Sequence, residues 1–519
     1  RDFCLSRGLG DVYKRQVVYL VKNIYLVAMN NQIYKYTYRS QRDLACRMMQ
    51  YYMGLPYIRL REQNSSDLIR NITADSNRCF VVILNLLQMT SELLISGVLV
   101  VYLVITDPVI TILVVVIMCI SMFLVLKFVK KKVSVLGQKD RYFEAQMNKC
   151  VLEAFGGVKE VKITHSEKFF MDDYYYKSTR YAELHRKCDV LGIIPKQVME
   201  VVTIGSLMVS LTIRLLMGAD PSTFIPIVSV FAVAAFRLLP SVNKIASYIN
   251  SIAFHLASFN AIYESIDEMR EGNEEYIENT ENKPAVTLND RFELKNLSFH
   301  YPDSDKNVID GIDLILKKNE SIAFIGPSGA GKTTLADIIL GVLAPQGGQM
   351  LVDGESINDN IYNWQKRLGY IPQSIFLFDD NIRKNIAFGI PEDEIDDGMV
   401  WKALEEAQLK SFVEELPEGL ETRIGERGAR LSGGQKQRIG IARALYYNPD
   451  ILVLDEATSA LDNETEKAVM ESIEKLQGSK TMIIIAHRLT TVQHCDNIYE
   501  VKDGKVIHKD KEEIFGKKA

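Results

Sequence analysis

Apolar and polar residues are distributed differently in the two halves of the chain. The first half contains long apolar runs, and the clearest is 109–126, which holds 18 residues and no charged side chain. As a helix this run is about 27 Å long, which is roughly one hydrocarbon thickness of a bilayer. Four of the next six residues, 127–132, are lysine, which is typical of a cytoplasmic anchor. The pattern favours a membrane span over the buried core helix that is the alternative.

Four further apolar runs predict additional spans, which gives five in all. They are 17–29, 80–105, 191–217 and 224–239 with its continuation. The links 106–108 and 218–223 contain no lysine or arginine, so they are expected to face outward, whereas the basic stretches 35–70 and 127–187 are expected to be cytoplasmic. The first of five alternating spans then runs inward from outside the cell, so we expect one further helix to precede it in the complete protein.

Polar segments set the expected domain boundaries. Residues 1–16 show no helical or strand period and lack the order of a signal peptide, so they are predicted to be a non-native leader. The transmembrane domain is expected at 17–268. The acidic stretch 269–289 contains a proline and predicts an exposed linker. In 290–519, predicted strands, turns and helices alternate, which predicts an α/β domain.

A phosphate-binding loop is predicted at 326–333, which reads GPSGAGKT. It matches G-x-x-x-x-G-K-[ST] and lies between a short apolar run that predicts a strand and a stretch with helical apolar spacing. Glycines let backbone N–H groups converge on phosphate, where the helix N-terminus adds its positive end. Lys332 is expected to reach the β- and γ-phosphates, and the hydroxyl of Thr333 to ligate Mg²⁺.

A second apolar run, 451–454, ends in the adjacent carboxylates Asp455 and Glu456. Four apolar residues in a row predict a central parallel strand, and ligands bind at the carboxyl edge of such sheets. Asp455 is therefore expected to hold Mg²⁺ through water, and Glu456 to polarise the attacking water. An acidic strand cap without a catalytic role is the less favoured alternative.

Charge and cysteine usage narrow the class of protein. The net charge of −5 over 519 residues gives no reason to expect nucleic-acid binding. The seven cysteines are scattered along the sequence and have no C-x-x-C spacing, which argues against a disulfide framework or a zinc site.

Several further motifs, in the expected order over 292–503, resemble those of ABC ATPases. The sequence LSGGQ at 431–435 resembles the signature of that family, and SALD at 459–462 resembles its D-loop. Gln373 resembles the Q-loop glutamine, His487 the switch histidine, and Tyr301 the aromatic residue that stacks on adenine. The membrane part precedes the ATPase in one chain, which is the exporter arrangement. The resemblance implies an N-terminal all-α membrane helix bundle, without its first helix, and a C-terminal α/β P-loop ABC ATPase domain.

The resemblance also implies that two ATPase domains close head to tail around ATP. The residues it places at the nucleotide are Tyr301, Gly326, Ser328, Gly329, Ala330, Gly331, Lys332, Thr333, Thr334, Gln373, Ser432, Gly433, Gly434, Gln435 and Asp455. Glu456, His487, Lys332 and Gln373 form the expected catalytic set, and Thr333, Gln373 and Asp455 the expected Mg²⁺ site, partly through water. Every element is intact, so a homodimer is expected, and a heterodimer with a degenerate partner is the alternative. Residues 154–168 resemble an intracellular coupling segment, and 71–78 are expected to form another.

The membrane part carries the expectations about substrate. Asn85, Gln88 and Glu92 share one helical face that should look into the bundle, either to contact substrate or to hydrogen-bond other helices. Arg214 and Arg237 lie in or near the last two predicted spans, where arginine is costly and points to function. They are expected to hold a phosphate or pyrophosphate head group, with snorkelling to an interface as the alternative.

The run 236–245 resembles the last membrane helix of bacterial flippases for lipid-linked oligosaccharides. This resemblance implies ATP-driven flipping of a polyprenyl-pyrophosphate oligosaccharide across the bacterial cytoplasmic membrane, with the ATPase domain in the cytoplasm. A multidrug or lipid A type exporter is the alternative. The expected partners are therefore a second copy of the chain, the lipid bilayer and an amphipathic or lipid-linked substrate.

Overall fold

The computed structural model describes residues 2–216, 221–271, 283–304, 306–456, 463–486, 488 and 492–515. The chain forms two compact units. The first comprises Arg1–Leu55 and Arg59–Asn273, and the second comprises Pro56–Ile58 and Glu274–Ala519.

The first unit is built from α-helices, several of them very long. In chain order they are α1 (Asp2–Gly54), α2 (Tyr57–Glu62), α3 (Ser65–Arg70), α4 (Ser76–Thr106), α5 (Pro108–Gly156), α6 (Val158–Ile163), α7 (Glu167–Leu216) and α8 (Pro221–Glu271). A π-helical turn, Asn71–Asp75, joins α3 to α4. A single residue, Asp107, separates α4 from α5, in agreement with the short link without lysine or arginine at 106–108.

Two helical stretches among the described residues are long and apolar enough to cross a membrane, Ser65–Thr106 and Thr111–Gly156. Large apolar side chains on them are exposed, for example Val98 at 73%, Ile105 at 79% and Phe123 at 66%. Such surfaces are unfavourable in water at about 25 cal/mol per Å² and are typical of a lipid-facing helix. Val129, Val133 and other apolar residues form small buried clusters between the helices.

The polar face of α4 contacts other helices of the same unit. Asn85 Nδ2 donates to Ser251 Oγ at 2.8 Å, Gln88 Nε2 donates to Tyr34 Oη at 3.3 Å, and Lys244 Nζ donates to Glu92 Oε1 at 2.6 Å. Of the two roles that the sequence allowed for this face, the structure therefore contains interhelical hydrogen bonding.

Residues 2–16, whose sequence shows no helical period, nevertheless lie in α1, because adding a residue to an existing helix is far easier than starting a new one. One expectation about this unit is wrong. Residues 71–78 continue the helical run from α3 into α4 and do not form a separate coupling segment. The chain turns earlier, after Gly54, where Pro56 restricts Leu55 and ends α1.

The described residues of the second unit form two sheets. The first has the order β2–β1–β4–β5, with β1 (Arg291–Phe299), β2 (Ile309–Lys317), β4 (Gly347–Val352) and β5 (Glu355–Ser356), and its strands are antiparallel. The second has the order β10–β9–β3–β8–β7–β6, with β3 (Ser321–Ile325), β6 (Leu368–Ile371), β7 (Ile451–Asp455), β8 (Thr481–Ile485), β9 (Asn497–Lys502) and β10 (Lys505–Lys509). Its strands are parallel apart from β10.

Helices accompany these sheets along the chain. They are α9 (Lys332–Ile339), α10 (Ile361–Gln365), α11 (Ile382–Ile386), α12 (Asp397–Glu406), α13 (Lys410–Glu414), α14 (Gly433–Leu445), α15 (Asn463–Glu474) and a short terminal helix, Lys511–Phe515. Four of the five residues of β3 and all of β7 and β8 are buried, as expected for central strands covered on both faces.

Two apolar cores stabilise this unit. One contains Phe292, Phe324 and Trp364 together with residues of α9, and Trp364 stacks on Phe292 with ring centroids 4.9 Å apart. The other contains residues of α12, α14 and β7. Both cores pack against β3, β7 and β8, so they fix the carboxyl ends of these strands, where the predicted site residues lie.

Candidate nucleotide site

A pocket of about 290 Å³ lies at the carboxyl ends of β3 and β7. It is lined by Tyr301, Val308, Ser328, Gly329, Gly331, Lys332, Thr333, Thr334 and Glu456. Eight of these nine residues come from the sets that the sequence predicts, and they belong to three separate segments of the chain. The fold thus brings the predicted adenine contact, the phosphate loop and the predicted catalytic carboxylate to one cavity.

The loop between β3 and α9 has a conformation that its glycines permit. Gly326 has φ +142° and Gly331 has φ +101°, values that residues with a side chain rarely adopt. A Cβ on Gly326 would lie 2.4 Å from the carbonyl oxygen of Val501 in β9. Ala330 packs against the neighbouring apolar core and is absent from the pocket lining that the structure describes. The glycines therefore let the loop pass close to the sheet and turn into α9.

Lys332 begins α9 and points back into the loop. Its ammonium donates to the carbonyl of Gly326 at 2.9 Å and to that of Pro327 at 3.0 Å, and the side chain is 5% exposed. Burial lowers the pKa of Lys332, and the nearby carboxylates of Glu456 and Asp455 oppose this effect. A buried cation at a helix N-terminus is a favourable place for a phosphate group.

Two carboxylates follow one another at the end of β7. Asp455 is buried at 8% exposure, whereas Glu456 is half-buried and lines the pocket. Glu456 has φ +45°, an uncommon conformation for a residue with a side chain, and its backbone N–H donates to Ile485 of β8 at 3.0 Å. Gln373, which follows β6, donates from Nε2 to Glu456 Oε2 at 2.7 Å. The strained backbone and the amide contact together fix the direction of this carboxylate.

Tyr301 forms another wall of the pocket. Its hydroxyl lies 3.1 Å from that of Thr334, and its ring meets Phe299 edge to face with centroids 5.2 Å apart. Val308 lines the pocket beside it and is a residue that sequence reasoning did not include. Val308 carries no chemical signal of its own. Its position depends on the pairing of β1 with β2, since its N–H donates to Phe299 at 2.8 Å.

The signature residues form a separate helix start. Ser432 caps α14: its N–H donates to Gln435 Oε1 at 2.8 Å, and the N–H of Gln435 donates to Ser432 Oγ at 3.3 Å. Gly433 is exposed and Gly434 is buried at the start of α14. None of these four residues is among the described residues that line the pocket of the same chain.

Several predicted residues lie outside the described part of the chain, namely His487 and residues 459–462. Arg214 lies on α7 and Arg237 on α8, and both of their side chains fall outside the description.

Comparison with known proteins agrees with this geometry. Residues 309–459 match the family model described as ABC transporter. The chain is 44% identical over 218 residues to the ABC transporter BEA3 of Gibberella fujikuroi, covering 42% of this chain and 17% of that protein. It is 33% identical over 358 residues to the ATP-dependent lipid A-core flippase of Cupriavidus pinatubonensis, covering 69% and 60% respectively. The chain thus spans less than two thirds of the length of these relatives.

A structure of a bacterial Atm1-family ABC exporter with ATP bound is similar in fold, with a TM-score of 0.76 and 23% identity, over 93% of this chain and 83% of that one. The family match identifies the second unit as an ABC-type ATPase domain, which is a nucleotide-binding domain. With the helical unit preceding that domain, the chain has the fold of the exporter-type ABC transporters, as its sequence predicts.

Proposed function

We propose that this chain binds and hydrolyses ATP at the pocket between Tyr301 and Glu456. The observation that carries the proposal is the presence of Lys332 and Glu456 in the lining of one cavity. The first supplies a cation for the phosphates, and the second supplies a carboxylate for the attacking water. Hydrolysis of a phosphoanhydride depends mainly on positioning and charge neutralisation, which these groups provide.

Each residue has a distinct task in this proposal. Tyr301 stacks on the adenine ring, and the N–H groups of the loop between β3 and α9 surround the phosphates. Lys332 exchanges its two carbonyl contacts for phosphate oxygens. Glu456 orients water for attack on the γ-phosphate, and Gln373 holds the Glu456 carboxylate in place. His487 is proposed to steady the γ-phosphate, in keeping with the motif it belongs to.

The residues around the pocket also fit Mg²⁺. Thr333 offers a hydroxyl, Asp455 a buried carboxylate, and Gln373 an amide oxygen, all of which are hard oxygen donors of the kind that Mg²⁺ prefers. Because Mg²⁺ keeps several waters and shares phosphate oxygens with the protein, so small a set of protein ligands is sufficient. When bound, the ion would neutralise charge on the β- and γ-phosphates.

The variant Glu456→Gln tests the catalytic role. It keeps the shape of the side chain and removes its charge, so kcat for ATP hydrolysis should fall about 10²- to 10⁴-fold, while ATP still binds. Glu418→Gln makes the same chemical change at an exposed position and should leave kcat unchanged. Equal hydrolysis rates for the two variants would disprove the role proposed for Glu456.

We further propose that a second copy of the chain completes the site. Residues 432–435 lie at the N-terminus of α14, whose positive end suits a γ-phosphate brought by the opposite subunit. In the Glu456→Gln variant, ATP should therefore convert monomers of the detergent-solubilised protein into stable dimers, which light scattering would detect. Persistence of a monomer at saturating ATP would contradict this arrangement, and dimers that form only with a different chain would indicate a heterodimer.

ATP hydrolysis is proposed to drive the movement of an amphipathic lipid across the bacterial cytoplasmic membrane. The apolar outer faces of α4 and α5 support a membrane location, and the resemblance to exporters in both sequence and fold supports outward transport. The ATPase unit then lies in the cytoplasm, where ATP is available.

Two classes of lipid are candidates for the substrate. Similarity to lipid A-core flippases supports a phosphorylated glycolipid of the lipid A class. The resemblance of 236–245 to flippases for lipid-linked oligosaccharides supports a polyprenyl-pyrophosphate glycan. Both carry phosphate beside sugar, and the arginines Arg214 and Arg237 are proposed to bind that shared group.

Flipping assays in proteoliposomes can distinguish these lipids. ATP-dependent movement of only one labelled lipid would identify its class, and movement of drugs alone would refute both. Arg237→Ala should abolish flipping of the preferred lipid and leave basal ATP hydrolysis intact. Lys131→Ala removes a cation from an exposed position of α5 and serves as the control. Full flipping by Arg237→Ala would count against the proposed anion site.

A further inference from the structure

We infer that Gln346 positions the ring of Tyr301 and so contributes to the affinity of the site for the base of the nucleotide. The inference rests on the nucleotide binding proposed above. Gln346 lies just before β4 and is exposed to solvent. It is absent from the pocket lining that the structure describes. Its effect on the nucleotide would therefore be indirect, through the residue that precedes Tyr301.

The side chain of Gln346 lengthens the pairing of β1 with β4. The last paired residues of these strands are Ser298 and Gly347, and the backbone N–H of Gln346 donates to Ser298 at 3.0 Å. Beyond that point, Oε1 of Gln346 accepts from the N–H of His300 at 2.6 Å, and Nε2 donates to the carbonyl of His300 at 2.8 Å. A carboxamide carries the same donor and acceptor as a peptide group, so this side chain acts as one more strand residue.

This contact fixes the backbone from which the Tyr301 ring extends. On the other side of β1, pairing with β2 ends where Phe299 meets Ile309. His300 is the next residue, and Gln346 holds both of its backbone polar groups. At the far end of the ring, the hydroxyl of Tyr301 lies 3.1 Å from that of Thr334. The ring is thus held at both ends, by Gln346 through the backbone and by Thr334 at the hydroxyl.

The exposure of Gln346 separates its role from general stability. Shortening an exposed side chain leaves no cavity, and water can replace its hydrogen bonds, so the free energy of unfolding should change little. What is lost is the fixed orientation of the short segment that carries Tyr301. A stacked base depends on that orientation, because the stacking attraction requires the Tyr301 ring to lie flat against the base.

The test compares ATP with a ligand that has no base. In the full-length protein in nanodiscs, Gln346→Ala should raise the Kd for ATP about three- to tenfold. This change corresponds to part of the binding free energy of one base–aromatic stack. It should leave the Kd for tripolyphosphate and the kcat at saturating ATP unchanged. Gln349→Ala, an exposed glutamine within β4, is the matched control and should bind ATP like the unaltered protein.

A second variant establishes that the effect passes through Tyr301. In a Tyr301→Ala background, adding Gln346→Ala should cause no further loss of ATP affinity. The inference is overturned if the loss is undiminished in that background, if tripolyphosphate binding weakens equally, or if Gln346→Ala binds ATP as tightly as Gln349→Ala. Failure of the unaltered protein to bind ATP would instead refute the proposed nucleotide site itself, and this inference with it.

Discussion

Replacing Gly326 by alanine should damage both the ATPase unit and its nucleotide site. Gly326 has φ +142°, and an added Cβ would lie 2.4 Å from the carbonyl oxygen of Val501, whereas Cβ contacts below 3.0 Å are essentially never seen. The loop and β9 must therefore separate by at least the difference, 3.0 − 2.4 = 0.6 Å. Val501 is fully buried and its strand is paired on both sides, so displacing β9 is unfavourable in free energy.

Two effects contribute to the expected loss of stability. The backbone strain of a non-glycine residue costs about 1–3 kcal/mol, and the overpacking against β9 costs about 1–3 kcal/mol more. Gly354→Ala separates them, since Gly354 has φ +87° but nothing lies within 4 Å of an added Cβ. Gly326→Ala should thus be less stable than Gly354→Ala, chiefly because of the overpacking, and each kcal/mol lowers the melting midpoint of a domain of this size by about 2–4 °C.

Nucleotide affinity gives the second measurement. The carbonyl of Gly326 accepts a hydrogen bond from Lys332, so a shifted loop also displaces the ammonium that is proposed to meet the phosphates. A displacement approaching 1 Å can cost on the order of 100-fold in activity. Gly326→Ala should therefore lose ATP binding in calorimetric titrations, whereas Gly354→Ala should retain it. Equal melting midpoints and equal ATP affinities for the two variants would refute this reasoning.

Three other changes have distinct expected outcomes. Trp364→Phe removes the indole N–H that donates to the buried carbonyl of Ile339 at 2.7 Å, so thermal melts should show a loss of about 1–3 kcal/mol with unchanged ATP affinity; an unaltered melt would contradict this. Burial lowers the pKa of Lys332 from 10.5, so ATP affinity should decline as the pH rises toward that value, because the ammonium loses its proton sooner than an exposed lysine. Lys332→Arg should flatten that profile, and an equally steep decline would point to another group. Ser432→Ala removes the cap of α14 and should cost about 1 kcal/mol of unfolding free energy together with ATPase activity, and normal melting would argue against the capping role.

The phosphate loop could be predicted from sequence because its determinants are local. Gly326, Gly331 and Lys332 lie within seven residues, and the flanking strand and helix have their own apolar patterns. The same holds for the end of β7, where four apolar residues precede Asp455. A pattern that is confined to one short segment can be recognised in the sequence without knowledge of the tertiary contacts.

Contacts between distant segments could not be predicted in this way. Gln373 meets Glu456 across 83 positions of the chain, and Gln346 meets His300 across 46, so neither pair leaves a local pattern. The ends of the long helices could not be predicted either. An apolar run indicates which part of a helix is suited to lipid, but it does not indicate where the helix begins. The turn after Gly54 is different, since Pro56 is a local signal that could have been used to find it.

The length of α5 and α7 has a mechanical consequence. They contain 49 and 50 residues, so each is about 75 Å long, whereas a bilayer core is about 30 Å thick. In the proposed membrane location roughly 45 Å of each helix lies beyond the hydrocarbon, and a tilt of about 5° at the membrane moves its far tip by about 4 Å. The same tilt of α9, which has eight residues, moves its end by about 1 Å. Long helices of this kind act as levers. A change in angle that is too small to disturb the packing between helices displaces the helix tip by more than the length of a hydrogen bond.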